Sequence, residues 1–351
     1  MTDRHAILVS PETSGIEHGM LLDFQSEIAR LTGSVAIQVP PRNRLTKRFG
    51  LGTRYAPFRR IIRRNGFSPR ADVLWAVLMG PEDYSLDVFR RWDRHVGFKI
   101  LYLFDTMERQ LPSIRAVLRS VKWDLTITSF QGAVPFLEEE TQRQWFAVPQ
   151  GVKLDRFRPA PAQDRLIDFS AYGRRLPAIH EAVKAFCAEP GRYYDYTTTA
   201  GLMPGTDPTE QYDQYAWRLR HSGFTFCWPV ETTNPDRVRT FSPITCRWFE
   251  AAASGTVVVG QPPKDAGFED LFGSDFVLPL DTACPQPHLC TRLRRLLEER
   301  SVRLDAARQR YDKFSHTWSW SRRVEGLLQI AGLDARPDDL RVNEPCIVNG
   351  C

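Results

Sequence analysis

The sequence predicts an α/β chain of two doubly wound domains, each a parallel sheet covered by helices. Three observations carry that expectation. Short apolar runs alternate with amphipathic stretches up to about residue 148, the alternation starts afresh near residue 166, and 351 residues are more than one hydrophobic core comfortably holds. Contents of 42% hydrophobic and 25% charged residues are ordinary for a soluble globular chain. No run of about 18 apolar residues offers a membrane span, and the N-terminus carries no export signal, so a cytoplasmic setting is expected. The seven cysteines are scattered without paired metal-ligand spacing, which predicts reduced thiols and no metal centre.

In the first domain, placed at residues 1–158, short apolar runs predict strands at 6–10, 35–39, 73–79, 99–104, 125–129 and 144–148. Amphipathic stretches predict helices at 22–31, 84–92 and 111–121. The second domain, 159–320, begins after a Pro159-Ala160-Pro161 linker. Its strands fall at 166–171, 224–228, 256–259 and 276–279, and its helices at 177–188, 243–253 and 288–314. A last helix covers 321–333, and 334–351 form a polar tail.

The most informative stretch runs from Ser242 to Gly260. Ser242 suits a helix N-cap and Pro243 the first helical position. Gly255 stops the helix, and an apolar run to Val259 follows as a buried strand. Glu250 is the single acid in the apolar end of that helix, where a carboxylate is costly without a partner. It can accept from a vicinal diol or pair with Arg247, three residues earlier on the same face. Arg247 could itself reach a phosphate at the helix start, near Thr245, where free N–H groups and the helix dipole favour an anion.

This run, Phe249-Glu250-Ala251-Ala252-Ala253-Ser254-Gly255, resembles the donor-binding helix of two-domain glycosyltransferases with the GT-B fold. There the segment reads roughly acid, seven residues, Glu-Ala-x-Ala-x-Gly. Pro149-Gln150-Gly151-Val152, followed by Phe157 and Pro159, is similar to the connection at that family's domain boundary. The likeness is greatest to family-4-like transferases of group 1 and to a bacterial group that includes spore-coat-like proteins. It implies two Rossmann-like domains facing across a cleft, with the final helix crossing back to the first. It implies a nucleotide-sugar donor in the second domain, an acceptor in the first, and Glu250 on the ribose hydroxyls. The family's first acid would fall at Ser242 and is missing, which leaves retaining and inverting chemistry both open. The resemblance also implies metal-independent transfer with no cofactor beyond the nucleotide-sugar co-substrate.

Gly173-Arg174-Arg175 follows the first strand of the second domain; the family carries Gly-Arg here, so Arg174 and then Arg175 are expected on the diphosphate, with solvated surface the alternative. Ser14-Gly15-Ile16-Glu17-His18-Gly19 resembles the family's glycine loop, where Gly15 and Gly19 would let backbone approach a ligand and His18 could orient or deprotonate an acceptor. Asp105 ends a strand and is the other candidate base, or else an N-cap, with Glu108 and Arg109 beside it. Thr232-Thr233-Asn234-Pro235-Asp236 is a polar loop that could contact donor hydroxyls, with a plain surface loop the equal alternative.

The net charge of +5 hides an asymmetry, because residues 41–70 hold ten Lys and Arg and no acid. Between 55 and 67 an amphipathic helix would set Tyr55, Phe58, Ile61 and Ile62 against Arg59, Arg60, Arg63 and Arg64. Such a face could lie on an anionic membrane surface, peripherally, or bind an acidic acceptor. No aromatic stacking pattern accompanies the charge, so nucleic acid is not an expected partner. The sequence does not name the acceptor; a glycan, a lipid-linked or a small molecule is the expectation. The competing function is a non-catalytic surface, coat or scaffold protein that keeps the fold, for which Ser242 is the main support.

Overall fold

The computed structural model describes residues 5–9, 16–38, 71–84, 92–197 and 207–334. The chain divides into two units, Met1–Pro149 with Arg323–Cys351, and Gln150–Arg322. Each is built on a fully parallel sheet.

In the first unit, β1 (His5–Val9), β2 (Val35–Gln38), β3 (Ala71–Leu78), β4 (Val96–Leu103), β5 (Leu125–Thr128) and β6 (Phe146–Ala147) are arranged β2-β1-β3-β4-β5-β6. The chain steps from β1 outward to β2 and then back across β1 to β3, so the order reverses between β1 and β3. Helix α1 (Ile16–Thr32) packs on this sheet through Met20, Phe24, Ile28 and Leu31, whose spacing makes one buried stripe. It starts six residues before the expected helix. His18 and the buried Gly19 are therefore in its first turn and not in a glycine loop. Helices α2 (Leu111–Ser120) and α3 (Val134–Thr141) complete the described layers.

The second unit opens with α4 (Leu154–Phe157) and holds β7 (Ile167–Ala171), β8 (Tyr194–Tyr196), β9 (Ser222–Cys227), β10 (Val257–Gly260) and β11 (Val277–Pro279) in the order β11-β10-β9-β7-β8. Helices α5 (Pro177–Phe186), α6 (Pro208–Arg220), α7 (Val230–Thr233), α8 (Cys246–Ala253), α9 (Phe268–Phe272), α10 (Gln286–Glu298) and α11 (Arg300–Trp318) connect them. Phe169, Phe224, Val257 and Val259 meet Val183, Leu289, Leu293 and Leu296 in one core, with Phe169 and Phe224 stacked at 5.5 Å. The expected helix over 288–314 is two helices, broken at Glu299, whose backbone turns to φ −88°, ψ 5°. α12 (Trp320–Ala331) begins in this unit, and from Arg323 onward it belongs to the first.

Val152 closes the second unit's ends: its N–H donates to Trp318 O at 2.9 Å and its carbonyl accepts from Trp320 N at 3.2 Å. A Cβ on Gly151 would stand 2.9 Å from the Trp318 carbonyl and the Trp320 ring, so only glycine fits that crossing. No helix among the described residues is long and apolar enough to cross a membrane.

Candidate functional site

In the second sheet the chain leaves β7 for β8 on one side and returns past β7 to β9 on the other. Strand order reverses between β7 and β9, and the crevice outside their carboxyl ends is where a doubly wound sheet binds ligands. Residues 172–175 follow β7 there, α7 follows β9, and Lys264 lies just past β10. Because α8 runs back before β10, its first turn lies at this same edge.

Gly173 has φ +81°, donates its N–H to Thr197 Oγ1 at 2.8 Å, and is exposed. A Cβ there would collide with the Arg247 guanidinium, which lies flat on the turn and donates from Nη1 to the Tyr172 carbonyl. The backbone angle demands glycine, and the Arg247 guanidinium occupies the space a Cβ would take. Arg174 is half-buried. Arg175 is too; its guanidinium lies 5.3 Å from the Tyr196 ring centroid, and its Nη1 is buried without a hydrogen-bond partner among the described residues. His180, one turn into α5, shares a 2.8 Å hydrogen bond between Nδ1 and the Tyr194 hydroxyl. Burial, with Arg175 adding to it, lowers its pKa.

α8 begins at Cys246, three residues later than expected. Thr245 takes the N-cap position by backbone alone, at φ −87°, ψ 166°, with no capping bond from its side chain. Ser242 is not the N-cap. Its hydroxyl donates to Glu231 Oε1 on α7 and accepts from Lys264 N at 2.9 Å, and the chain from Ser242 to Thr245 stays non-helical. The far end of α8 follows the sequence: Gly255 at φ +59° donates to Ala252 O, and Thr256 N to Ala251 O, the paired bonds of a Schellman stop. Buried Arg165 adds bonds to Ser254 O at 2.8 Å and Ser222 O at 2.7 Å; desolvation, then Arg300, lowers its pKa to about 10.

Glu250, only 3% exposed, faces α6. Tyr212 donates its hydroxyl to Oε1 at 2.7 Å and Tyr215 to Oε2 at 2.8 Å. The two rings stack at 5.9 Å, with Phe157 edge-on to Tyr212 at 5.4 Å. Burial raises the carboxyl's pKa, while the two hydroxyls and the Arg247 charge act the other way. Tyr215 in turn meets Tyr172 edge-on at 5.2 Å, so the buried carboxylate supports the very residue whose carbonyl Arg247 holds.

The edge thus brings together Gly173, Arg174, Arg175, Arg247, Thr245 and Ser242, with Glu250 beneath them. Asp105 belongs to the first unit, half-buried just past β4, with its N–H on Met79 O at 2.7 Å. Gly15, Arg59, Arg60, Arg63 and Arg64 lie outside the described residues, as does the side chain of His18. Sequence reasoning missed Tyr212, Tyr215 and Glu231. Asp207 before Pro208 was the available signal for α6: its Oδ1 caps Thr209 N at 2.8 Å. The pair Tyr212 and Tyr215, three apart, would then share a face.

Residues 179–329 match the family described as glycosyl transferase-like. HepE of Anabaena, solved in complex with UDP and glucose, superposes with a TM-score of 0.54 at 11% identity, over 94% of this chain and 99% of HepE. A glycosyltransferase from Rickettsia africae gives 0.52 at 11% identity over 94% and 98% of the two chains. AviGT4, a glycosyltransferase of avilamycin A biosynthesis, gives 0.51 at 13% over 95% and 100%. No curated protein matches the chain. The segment matched by that family model takes in Glu231, Ser242, Arg247 and Glu250, and the architecture of the chain is the GT-B fold.

Proposed function

We propose that the protein transfers a sugar from a nucleotide-sugar donor to an acceptor, and that the second unit holds the donor nucleotide outside β7 and β9. The carrying observation is the turn at Gly173 with the Arg247 guanidinium laid against it, at the point where strand order reverses and α8 begins. Exposed backbone, three arginines and the uncapped first turn of α8 put positive charge where a diphosphate would sit. That charge stabilises a departing diphosphate without a metal in the proposed reaction. UDP is the first nucleotide to try, because HepE binds it on the same fold.

Glu250 serves this site from below. With both oxygens taken by tyrosines, it fixes α6 against α8 and thereby Tyr172 and Arg247. The proposed acceptor side is the first unit, with Asp105 as the base for an acceptor hydroxyl and His18 as the second candidate. The basic segment 41–70 is proposed to meet an anionic surface or acceptor.

Isothermal titration with UDP, GDP, ADP and dTDP, each beside its nucleoside, tests the reading. The expected result is binding of at least one diphosphate, with Arg174→Ala weakening it by about 1.5–3 kcal/mol and leaving the nucleoside untouched. A folded wild-type chain that binds none of them is the scaffold protein of the competing reading.

A further inference from the structure

Glu231 is half-buried on α7, the turn that follows the central strand β9 at the sheet's carboxyl edge. Ser242 holds its Oε1 by a hydrogen bond. The same serine hydroxyl accepts the Lys264 N–H at 2.9 Å, so the segments after β9 and β10 converge on one hydroxyl that aims one carboxylate. The other oxygen, Oε2, is buried and has no hydrogen-bond partner among the described residues. A buried carboxylate oxygen without a donor is expensive, and the fold keeps this one at the edge assigned to the donor.

We infer that Glu231 is a binding carboxylate for the sugar half of the donor, its Oε2 accepting from sugar hydroxyls, with Ser242 as its positioning residue. The inference rests on the proposed nucleotide-sugar function. The chemistry selects the sugar over the diphosphate: an acceptor-only carboxylate repels a phosphate but takes hydrogen bonds from neutral hydroxyls. Ser242 then keeps an acid at the helix-start segment indirectly, by holding one that belongs to another element.

The test compares affinity for UDP, GDP, ADP and dTDP with affinity for the glucose conjugate of each, by isothermal titration, in wild type, Glu231→Gln and Ser242→Ala. Gln can keep the Ser242 bond through its amide oxygen, so the fold should persist, as circular dichroism would verify. Glu231→Gln should lower affinity for the bound conjugate on the order of tenfold and leave the bare diphosphate within about twofold. Ser242→Ala should shift the same ratio by about threefold, because Glu231 remains but swings free. A merely structural Glu231 would move both ligands together or neither. That outcome overturns the inference while the function stands. A wild type that binds no diphosphate overturns the function, and Glu231 with it. If Glu231→Gln fails to fold, Ser242→Ala decides by the same ratio.

Discussion

Two carboxylates of the second unit are satisfied in opposite ways. Glu250 sits in the helix α8, with a tyrosine hydroxyl on each oxygen. Glu231 sits on a four-residue turn, with one oxygen on Ser242 and the other buried without a partner among the described residues. A buried charge with a full set of donors is a joint between elements, here α6 and α8. A carboxylate left one donor short, at an edge where loops from neighbouring strands meet, has an oxygen that an arriving ligand could complete. Burial alone does not separate a ligand group from a structural one; the state of each oxygen does.

The largest effect expected in breaking this contrast comes from Gly173, the glycine beneath Arg247 on the Glu250 side. Gly173→Ala places a methyl into the Arg247 guanidinium and asks a side-chain-bearing residue to hold φ +81°. Backbone strain of about 1–2 kcal/mol is joined by loss of the Arg247 bond to Tyr172 O, and diphosphate affinity should fall at least about tenfold. Urea unfolding and titration measure the two losses; an alanine variant with wild-type values in both would remove Arg247 from the site. Next comes Glu250→Gln, expected to cost about 1–3 kcal/mol of stability while diphosphate affinity stays within about threefold. A large loss of affinity at unchanged stability would instead put Glu250 directly on the ribose.

The same variant gives a pH signature. Burial holds the Glu250 pKa above the ordinary carboxylate value, so the folded chain keeps its proton to higher pH than the unfolded chain. Stability from protonated Glu250 is complete below the ordinary value and is lost as pH rises through the raised one. The unfolding free energy of wild type minus that of Glu250→Gln should therefore fall with rising pH in that window and be flat on either side. A difference that climbs with pH would mean that the tyrosines and Arg247 overcome burial.

Much of this was legible in the sequence, and the reasons for the remainder are local. The apolar runs announced ten of the eleven strands among the described residues, and Gly255 marked the end of α8 because only a left-handed residue allows its paired stop. β8, three residues of Tyr194-Asp195-Tyr196, was too short and too polar to register. α6 was hidden for a related reason: it is mostly polar, and Gln211, Tyr212 and Tyr215 take up most of its buried face, with only Ala216 and Leu219 as aliphatic members. The start of α8 was misplaced because Ser242 and Pro243 satisfy a capping rule that tertiary contacts override, the serine being claimed by Glu231 and Lys264. Gly173, Arg247 and Glu250, all three in the second unit, were singled out from the resemblance and from the helix pattern around them. Their partners were not: Tyr212 and Tyr215 are 38 and 35 residues from Glu250, and Glu231 is 11 from Ser242, distances at which only the fold brings donors to acceptors.

The smallest expected effect is the sharpest about Glu250. Tyr212→Phe and Tyr215→Phe each delete one hydroxyl and leave the ring. The Tyr212 ring keeps its place against Phe157 and 5.1 Å from the Arg156 guanidinium, and the Tyr215 ring keeps its edge contact with Tyr172. Each should cost about 1 kcal/mol, the value of a single buried hydrogen bond, and the two should be similar because they serve different oxygens. Removing either donor also removes an influence that lowers the carboxyl's pKa, so the window in which stability falls with pH should extend upward in both variants. In a Glu250→Gln background the same phenylalanines should cost less, with a coupling of about 0.5–1 kcal/mol by double-mutant cycle, since the charged acceptor is already gone. Phenylalanines that cost nothing in either background would show that the tyrosines do not hold the carboxylate. Glu250 would then have oxygens to offer a ligand, as Glu231 has, and the contrast between the two regions would collapse.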